Sequence, residues 1–260
     1  MDCPAPRSIT LIGTGNVAWH LAHGLRKAGN KIVQICSRSM ANATQLAAET
    51  DASPTDRLQM ISPTAADVYI ISVSDSFIEE IAAQLELGNR LLLHTAGSID
   101  KEVLAKGSSR YGVAWPVQTL VKGLPMPETP FCIEGSDKSV NDDIAELLSP
   151  LSHTILPLDI QQRRVAHLAA TMVSNFGNAI NALSQSLLSD QDIDFALLQP
   201  IIATTAKKAQ HTSDLWEQQT GAARRRDSAT LQKHMELLQS KPEAAELYSL
   251  MTRIIQNHTC

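Results

Sequence analysis

A short segment near the start of the chain, GTGNVA at residues 13–18, fits the pattern G-x-G-x-x-A that brings phosphate groups close to a backbone. It lies between an apolar run and a helical run. Gly13 permits a sharp turn, Gly15 leaves room for a diphosphate at the N–H groups of the helix start, and Ala18 lets the helix pack closely on the strand. The contacts with a dinucleotide are expected at Gly13, Thr14, Gly15, Asn16 and Val17. A glycine-rich turn that binds nothing is the alternative, but the complete strand–turn–helix unit favours dinucleotide binding.

The end of the second apolar run, where KIVQI is followed by CSRS at 36–39, bears on which dinucleotide binds. An NAD site usually carries an Asp or Glu about 20 residues after the glycines, which accepts hydrogen bonds from the adenine ribose. No carboxylate stands here; instead Arg38 could pair with the 2′-phosphate of NADP, while Ser37 and Ser39 donate to it. An ordinary exposed arginine in a loop is the alternative. The missing acid and the arginine together predict NADP (NADPH) rather than NAD.

Residues that follow each strand are further candidates, because open α/β sheets bind ligands beyond the carboxyl ends of their strands. Two such ends supply Val73 and Ser74, then His94, Thr95 and Ser98. His94 closes an apolar strand and could relay a proton beside a nicotinamide, since the ordinary pKa of histidine is about 6.5. A histidine bonded to the loop backbone, with a capping role for Ser98, is the equally supported alternative. Asp75 and Ser76 are predicted to be helix caps rather than catalytic groups.

The most informative stretch of the second half is a helical segment, residues 165–189, without any Asp, Glu, Lys or Arg. Its large apolar residues fall on one side and neutral polar groups on the other. The polar side consists of His167, Thr171, Ser174, Asn175, Asn178, Asn181 and Gln185. A solvated helix face normally carries charges, so this face is predicted to be partly buried, in a helix–helix interface or in the wall of a substrate cleft. For His167 and Asn175 the cleft is favoured, because they offer donors and acceptors suited to a carbonyl or carboxylate.

A second unusual segment, QTGAARRRD at 219–227, interrupts the helical pattern with a glycine and three consecutive arginines. A solvated loop between helices is the favoured interpretation. The functional alternative is an anion-binding loop that closes over substrate or cofactor, with Arg224 as the best candidate.

The elements that must position these residues alternate between strands and helices over the first half. Short apolar runs predict strands at ITLI, KIVQI, DVYIISV, RLLLH, YGVAW and PFCIEG. Helical spacing predicts helices at 17–28, 74–85 and 138–151, the second with Ser76 and Glu79 as a capping box. Repeated β-α-β units imply a doubly wound parallel sheet, and no convincing strand follows Asp159. The chain is therefore predicted as an α/β Rossmann domain at 1–157 followed by an all-helical domain at 158–260.

Composition and charge narrow the classes of function. The 260 residues are 43% hydrophobic and 19% charged, as in globular proteins, and a net charge of −5 provides no basic field for nucleic acid or anionic lipid. No segment reads as a membrane span, and the start, MDCPAPRS, has no apolar stretch for a signal peptide. The scattered cysteines argue against a disulfide framework or a metal site, so a reducing cytoplasmic location is expected. These cysteines are Cys3, Cys36, Cys132 and Cys260.

These motifs, in their order and spacing, resemble a family of Rossmann-like NADP oxidoreductases whose second half is a domain of unknown function. The resemblance runs nearly end to end and is carried by IGTGNVAWHLA, SRS, ISVSD, HTAGS, WPVQTL, IEG, RRVAHLAATMVSNFGNAI and QTGAARRRD. The family is similar to 6-phosphogluconate dehydrogenase, pyrroline-5-carboxylate reductase and deazaflavin-dependent NADP reductase, in which a helical domain often dimerises. The resemblance implies NADP(H) binding at 13–18 and 37–39 and a homodimer formed through the helical domain. It also implies a site between the domains near His94, Ser98, His167 and Asn175.

The chain departs from these relatives at positions that matter for chemistry. The β-hydroxyacid dehydrogenases among them use a helical Lys followed four residues later by Asn. If Asn175 matches that Asn, Thr171 stands in place of the Lys, and a threonine hydroxyl cannot act as an ammonium acid. The family motif also has Pro where this chain has Ala222 and Gly where it has Arg226.

The sequence thus predicts an NADP-dependent oxidoreductase that transfers a hydride between nicotinamide and a small carbonyl, imine or second cofactor. The cofactor supplies the hydride chemistry, His94 or His167 would donate the proton, and Asn175 would orient a small-molecule substrate. Because the lysine is missing, a non-catalytic NADP-binding sensor or interaction protein is the alternative function. A Rossmann methyltransferase is a weaker alternative, because no acid follows the second strand to bind a ribose.

Overall fold

Residues 5–258 of the chain are described by the structure, which is a computed structural model. They fall into two compact units, one ending at Asn175 and the other beginning at Phe176. Cys3 and Cys260 lie outside the described residues, whereas Cys36 and Cys132 are buried free thiols.

A single eight-stranded sheet forms the core of the first unit. Its strands are β1 (Ser8–Ile12), β2 (Lys31–Cys36), β3 (Ser53–Thr55), β4 (Val68–Ile71), β5 (Leu91–His94), β6 (Arg110–Pro116), β7 (Phe131–Gly135) and β8 (Ile155–Pro157). Their spatial order is β3-β2-β1-β4-β5-β6-β7-β8, which confirms the predicted α/β Rossmann fold. Every neighbouring pair is parallel except β6 and β7. This pair differs from the predicted all-parallel sheet because residues 117–130 join the two strands without a helix to carry the chain back.

Helices cover both faces of this sheet. They are α1 (Asn16–Lys27), α2 (Met40–Thr50), α3 (Ile78–Ala82) and α4 (Lys138–Leu148). Leu21 of α1 and Ile144 of α4 join one buried apolar cluster with Ile70 of β4, whereas Ile78 of α3 joins a second with Tyr69 of β4. Successive residues of a strand point to opposite faces, so the two clusters lie on opposite sides of the sheet. Each fully buried aliphatic side chain contributes about 1.5–3 kcal/mol to stability.

The helix predicted at 74–85 is much shorter than expected. A 3₁₀ turn at Asp75–Phe77 precedes the five-residue α3, and no side chain caps either start, so the predicted capping box of Ser76 and Glu79 is wrong. The prediction of Asp75 as a cap is also wrong, because its carboxylate instead accepts a hydrogen bond from Ser98. Both α2 and β3 lie in a part of the chain, residues 40–55, where no element was predicted.

The helix predicted at 165–189 is two α-helices joined by a π-helical turn. They are α5 (Ile160–Thr171), the turn Met172–Phe176 and α6 (Gly177–Ser189). Ala166 and Ala170 pack against a small cluster around Trp115, so α5 turns its small and polar face towards the sheet. Its large apolar side chains are exposed instead. Those on α5 and the turn are Val165, Leu168, Met172, Val173 and Phe176.

The second unit, as far as the structure describes it, is helical and has almost no buried side chain. After α6 it contains α7 (Gln199–His211), α8 (Ser228–Leu237) and α9 (Pro242–His258). Leu238 is the one buried residue among the described residues of this unit. The described part of the chain has no strand after Pro157. None of its helices has both the length and the apolar composition needed to cross a membrane.

Candidate cofactor and active site

A cleft of about 940 Å³ opens beyond the carboxyl ends of β1, β2, β4 and β5. It includes the point between β1 and β4 where the strand order reverses, and open α/β sheets bind ligands at such a point. All the predicted cofactor contacts except His94 line it. They are Gly13, Thr14, Gly15, Asn16, Val17, Ser37, Arg38, Ser39, Val73, Ser74 and Thr95. The fold therefore brings residues from four separate segments of the sequence to one cavity.

The two glycines of the first turn have different surroundings. Gly13 has a φ of +125°, and a Cβ atom there would lie 2.0 Å from the carbonyl oxygen of Ser72, so no other residue fits. Gly15 is the N-cap of α1 with an ordinary φ of −69°, and nothing lies within 4 Å of the position of its missing Cβ. The first turn of α1 also contains no acidic residue. The start of α1 therefore has open space for a diphosphate, and no acidic side chain in its first turn would repel the phosphate charge from the helix N–H groups.

The segment after β2 forms a second wall of the cleft. Ser39 caps α2, and the hydroxyl oxygens of Ser37 and Thr14 lie 3.2 Å apart. The guanidinium of Arg38 lies over the ring of Phe77, 4.6 Å from its centre. No carboxylate forms an ion pair with Arg38 among residues 5–258. The positive charge of the guanidinium and the start of α2 would both attract a 2′-phosphate.

The loops that follow β4 and β5 are joined by two side-chain hydrogen bonds. Thr95 Oγ1 donates to Ser72 Oγ at 3.1 Å, and Ser98 Oγ donates to Asp75 Oδ2 at 2.9 Å. Thr95 and Asp75 line the cleft, whereas Ser98 stands just beyond its lining residues. Residues 95–98 are therefore fixed to the β4 loop at both ends.

His94 is the last residue of β5 and does not line the cleft. The side chain is fully buried, and Nδ1 accepts a hydrogen bond from the N–H of Ala96 at 3.1 Å. Nε2 has no partner with good hydrogen-bond geometry. Burial, and then the charge of Arg163, lower the pKa of His94 to about 4 despite an opposing effect of Asp100. A buried, neutral ring bonded to the loop backbone favours the structural interpretation of His94 over a proton relay.

His167 lies on α5 beside the segment 95–98. Its ring is edge-on to that of Trp115, with centroids 5.4 Å apart, and a Cβ on Gly97 would lie 2.8 Å from its Cδ2. This close approach therefore requires a glycine at position 97. Thr171, one turn further along, donates its hydroxyl to the carbonyl of His167 at 3.0 Å. The position predicted to match the relatives' lysine thus carries a hydroxyl that is bonded to its own helix.

Asn175 lies in the π-helical turn and is exposed. Its neighbour Ser174 has its Oγ 2.6 Å from Thr119 Oγ1, in the loop after β6. The predicted catalytic residues are therefore not all brought together: Ser98 and His167 flank one loop, and Asn175 stands on the turn that ends α5. Turns of this π type are frequent at functional sites.

The arginine loop at 219–227 is held by backbone contacts within the second unit. Arg224 Nη1 donates to the carbonyls of Glu217 and Gln219, which favours the interpretation as an ordinary inter-helix loop. Arg226 donates to the carbonyl of Gln256 at 3.0 Å and has a φ of +55°. It therefore adopts the left-handed conformation at the place where the family motif has Gly.

Several lining residues were not predicted. Arg57 and Gln59 follow β3, and Asp75 and Phe77 precede α3. A three-residue strand gives almost no periodic signal, so the place of Arg57 in the cleft wall could not be predicted from the sequence. For Phe77, its place two residues after the conspicuous SVSD segment was the available signal.

Comparisons with known proteins match both parts of the chain. Residues 8–96 match a family described as NADP oxidoreductase, coenzyme F420-dependent, and residues 129–255 match DUF2520, a domain of unknown function. No curated protein sequence matches. Among solved structures, a "putative NADP oxidoreductase" from Bacteroides fragilis is 35% identical, with a TM-score of 0.89 over 97% of this chain and 98% of that one. The chain belongs to this NADP oxidoreductase family.

The cofactor of this family is NADP, which confirms the dinucleotide predicted from Arg38 and the missing acid. The residues present fit that cofactor: the space at Gly15 admits a diphosphate, and the guanidinium of Arg38 has no carboxylate partner among the described residues. The resemblance to a Rossmann-like oxidoreductase with a C-terminal domain of unknown function is likewise confirmed.

More distant solved structures share the fold of this chain. A protein of Thermotoga maritima is 21% identical, with a TM-score of 0.74 over 96% of this chain and 97% of that one. A reductive aminase from Aspergillus terreus in complex with NADPH and ethyl-5-oxohexanoate is 14% identical, with a TM-score of 0.72 over 97% and 93%. A pyrroline-5-carboxylate reductase from Coxiella burnetii is 16% identical, with a TM-score of 0.58 over 98% and 100%.

Proposed function

We propose that the chain transfers a hydride between the nicotinamide of NADP(H) and a small carbonyl compound, an imine or a second cofactor. The observation that supports this is the single cleft in which the diphosphate cradle, Arg38 and the ends of β4 and β5 meet. NADPH supplies the hydride when bound, and the chain binds and orients it. Reduction of a C=N bond is included because a reductive aminase and a pyrroline-5-carboxylate reductase share the fold.

The proton that accompanies the hydride is assigned to His167, and orientation of the substrate to Asn175. His167 is partly exposed beside the loop that contains Thr95 and Ala96, both of which line the cleft. His94, the other candidate, is neutral near pH 7 and sealed from solvent. A positioned general acid contributes about 10²–10⁴-fold to a rate.

The cofactor cradle can be tested with one methyl group. Gly15→Ala fills the open space at the start of α1 without touching the protein, so the fold should persist while NADPH affinity falls at least about 10-fold. Titration of NADPH fluorescence measures the affinity, and urea denaturation measures the fold. Gly177→Ala, also without a neighbour within 4 Å, is the matched control. Unchanged NADPH binding by Gly15→Ala would contradict the proposal.

The acid role of His167 is tested by turnover. NADPH oxidation is followed with a panel of small carbonyls and imines, and His167→Asn is expected to lower kcat about 100-fold while leaving NADPH affinity unchanged. A variant with wild-type kcat would remove His167 from the mechanism.

The second candidate is a non-catalytic NADP-binding sensor. It is favoured by one observation: the Thr171 hydroxyl is bonded to the carbonyl of His167, so no ionisable group occupies the position of the relatives' lysine. This function predicts tight NADPH binding, no oxidation with any acceptor, and a change in assembly or partner on cofactor binding.

Association of two copies through the helices is the remaining part of the proposal. In the last helix and turn of the first unit, Val173 is 82% exposed, Val165 68% and Leu168 60%. The second unit buries one side chain among its described residues, and this core is too small for the unit to be stable alone. Sedimentation equilibrium should show a dimer that Leu168→Asp converts to monomer, whereas the control Gln161→Asp should remain dimeric. A monomeric wild-type chain would refute this part. The reducing cytoplasmic location stays a prediction.

A further inference from the structure

Two consecutive arginines at the start of α5 have opposite electrostatic surroundings. Arg163 is fully buried, forms an ion pair with Glu134 and donates to the carbonyl of Ile99. Arg164 is exposed, and its Nε donates to the carbonyl of Ser98 at 3.2 Å. Within residues 5–258, no carboxylate lies at ion-pair distance from Arg164. The first charge is neutralised inside the protein, and the second is left available.

The available charge lies close to the cleft. Ser98, which holds Arg164 through its carbonyl, donates its hydroxyl to Asp75 on the cleft wall. Ala96, two residues earlier, also lines the cleft, and two residues of chain span at most about 7 Å. Only Ser98 therefore separates the Nε atom of Arg164 from Asp75 on the cleft wall, with hydrogen bonds of 3.2 Å and 2.9 Å on its two sides, and a small substrate and the arginine fork can bridge this gap together. His167, the assigned acid, is three residues along the same helix.

We propose that Arg164 binds a carboxylate of the substrate, so that the hydride acceptor is a carbonyl or imine compound that bears a carboxylate. This inference rests on the proposed function. Because Nε is fixed on the Ser98 carbonyl, the guanidinium is held in place, and neither terminal nitrogen donates to a described residue. Those two nitrogens can donate parallel hydrogen bonds to one carboxylate. Asp75 opposes the reverse orientation, because a substrate carboxylate turned towards it would be repelled.

The test compares acceptors that differ in the carboxylate alone. Pyruvate and acetone form one pair, and the imines that each forms with methylamine form the other. Arg164→Met is expected to lower kcat/KM for the carboxylated member about 10- to 100-fold, mainly through KM, and to leave the neutral member within about twofold. Arg164→Lys, which keeps the charge and loses the fork, should fall between the two.

The matched control is Arg26→Met. Arg26 is also exposed and also donates to one backbone carbonyl, that of Glu49, but it stands at the far end of α1 from the cradle. This variant should retain wild-type kcat/KM for both members of each pair. If Arg26→Met lowered kcat/KM for pyruvate as much as Arg164→Met does, the assignment of the carboxylate to Arg164 would be overturned.

A binding measurement separates this inference from the proposed function. Oxamate, a carboxylate that resembles pyruvate and accepts no hydride, is titrated into the protein–NADPH complex and followed by cofactor fluorescence. Wild-type protein should bind it, and Arg164→Met should bind it about 10- to 100-fold more weakly with unchanged NADPH affinity. Arginine-dependent oxamate binding without reduction of any acceptor would refute the proposed function and support the carboxylate site. Reduction of acetone with no preference for pyruvate, or no oxamate binding by the wild type, would refute the carboxylate site.

Discussion

Acid is expected to destabilise the first unit through one buried imidazole. His94 has a pKa of about 4 in the folded chain, because burial and then Arg163 disfavour its charged form, against 6.5 for an unperturbed histidine. The unfolded chain therefore binds the proton more tightly. Stability is complete above the unfolded pKa and is lost as the pH falls from about 6.5 through about 4. A difference of about 2.5 pKa units corresponds to about 3 kcal/mol, of which about 2.5 kcal/mol is lost by about pH 4.5.

The measurement is the free energy of unfolding in urea at about pH 8 and about pH 4.5, for the wild type and His94→Asn. The asparagine Oδ1 can accept the Ala96 N–H in place of Nδ1 but cannot titrate. The variant should lose about 2.5 kcal/mol less than the wild type on acidification, because the other titrating groups are common to both. His153→Asn, the same exchange at an exposed position, is measured alongside as the control for the loss of one imidazole. If His94→Asn shows the full wild-type loss, His94 is not held neutral, and the proton-relay role becomes the better interpretation.

Three further outcomes follow from described contacts. Arg226→Gly should be about 1 kcal/mol more stable than Arg226→Ala, because both lose the bond to Gln256 but only glycine tolerates a φ of +55° without strain; equal urea midpoints would contradict this. Arg38→Ala should weaken NADPH binding about 10- to 100-fold and NADH binding little, as fluorescence titration would show; parallel losses would remove Arg38 from 2′-phosphate recognition. Glu134→Ala should cost about 3–5 kcal/mol in urea denaturation, since it leaves the fully buried Arg163 unpaired; a cost below about 1 kcal/mol would refute that account.

The cofactor half of the site could be predicted because its signals are local. The turn at Gly13 and Gly15 and the segment containing Arg38 each depend on a few neighbouring residues, and parallel strands must deliver them to one edge of the sheet. The place of Arg57 in the cleft wall could not be predicted. It depends on α2 and the three-residue β3, whose patterns are too short and too mixed to detect.

The catalytic half of the site was harder to predict from the sequence, because the burial of a side chain is a property of the folded chain. The sequence offers either His94 or His167 as the proton donor, yet His94 is fully buried and His167 is partly exposed on α5. The orientation of α5 was inaccessible for the same reason. Periodicity in the sequence separates the apolar side of this helix from its polar side, but it does not tell which side faces the sheet. In the structure, Ala166 and Ala170 pack against the sheet, and the larger apolar side chains of α5 are exposed to solvent.

The contrast between the two glycines constrains how descendants of this protein could change. A side chain at Gly13 would collide with the Ser72 backbone, so glycine is needed at that position for the sheet to form as well as for the diphosphate to bind. Gly15 faces only open space, so its replacement removes the ligand and spares the architecture. A lineage that abandons the dinucleotide while keeping this architecture is therefore expected to drift first at the second glycine and to retain the first.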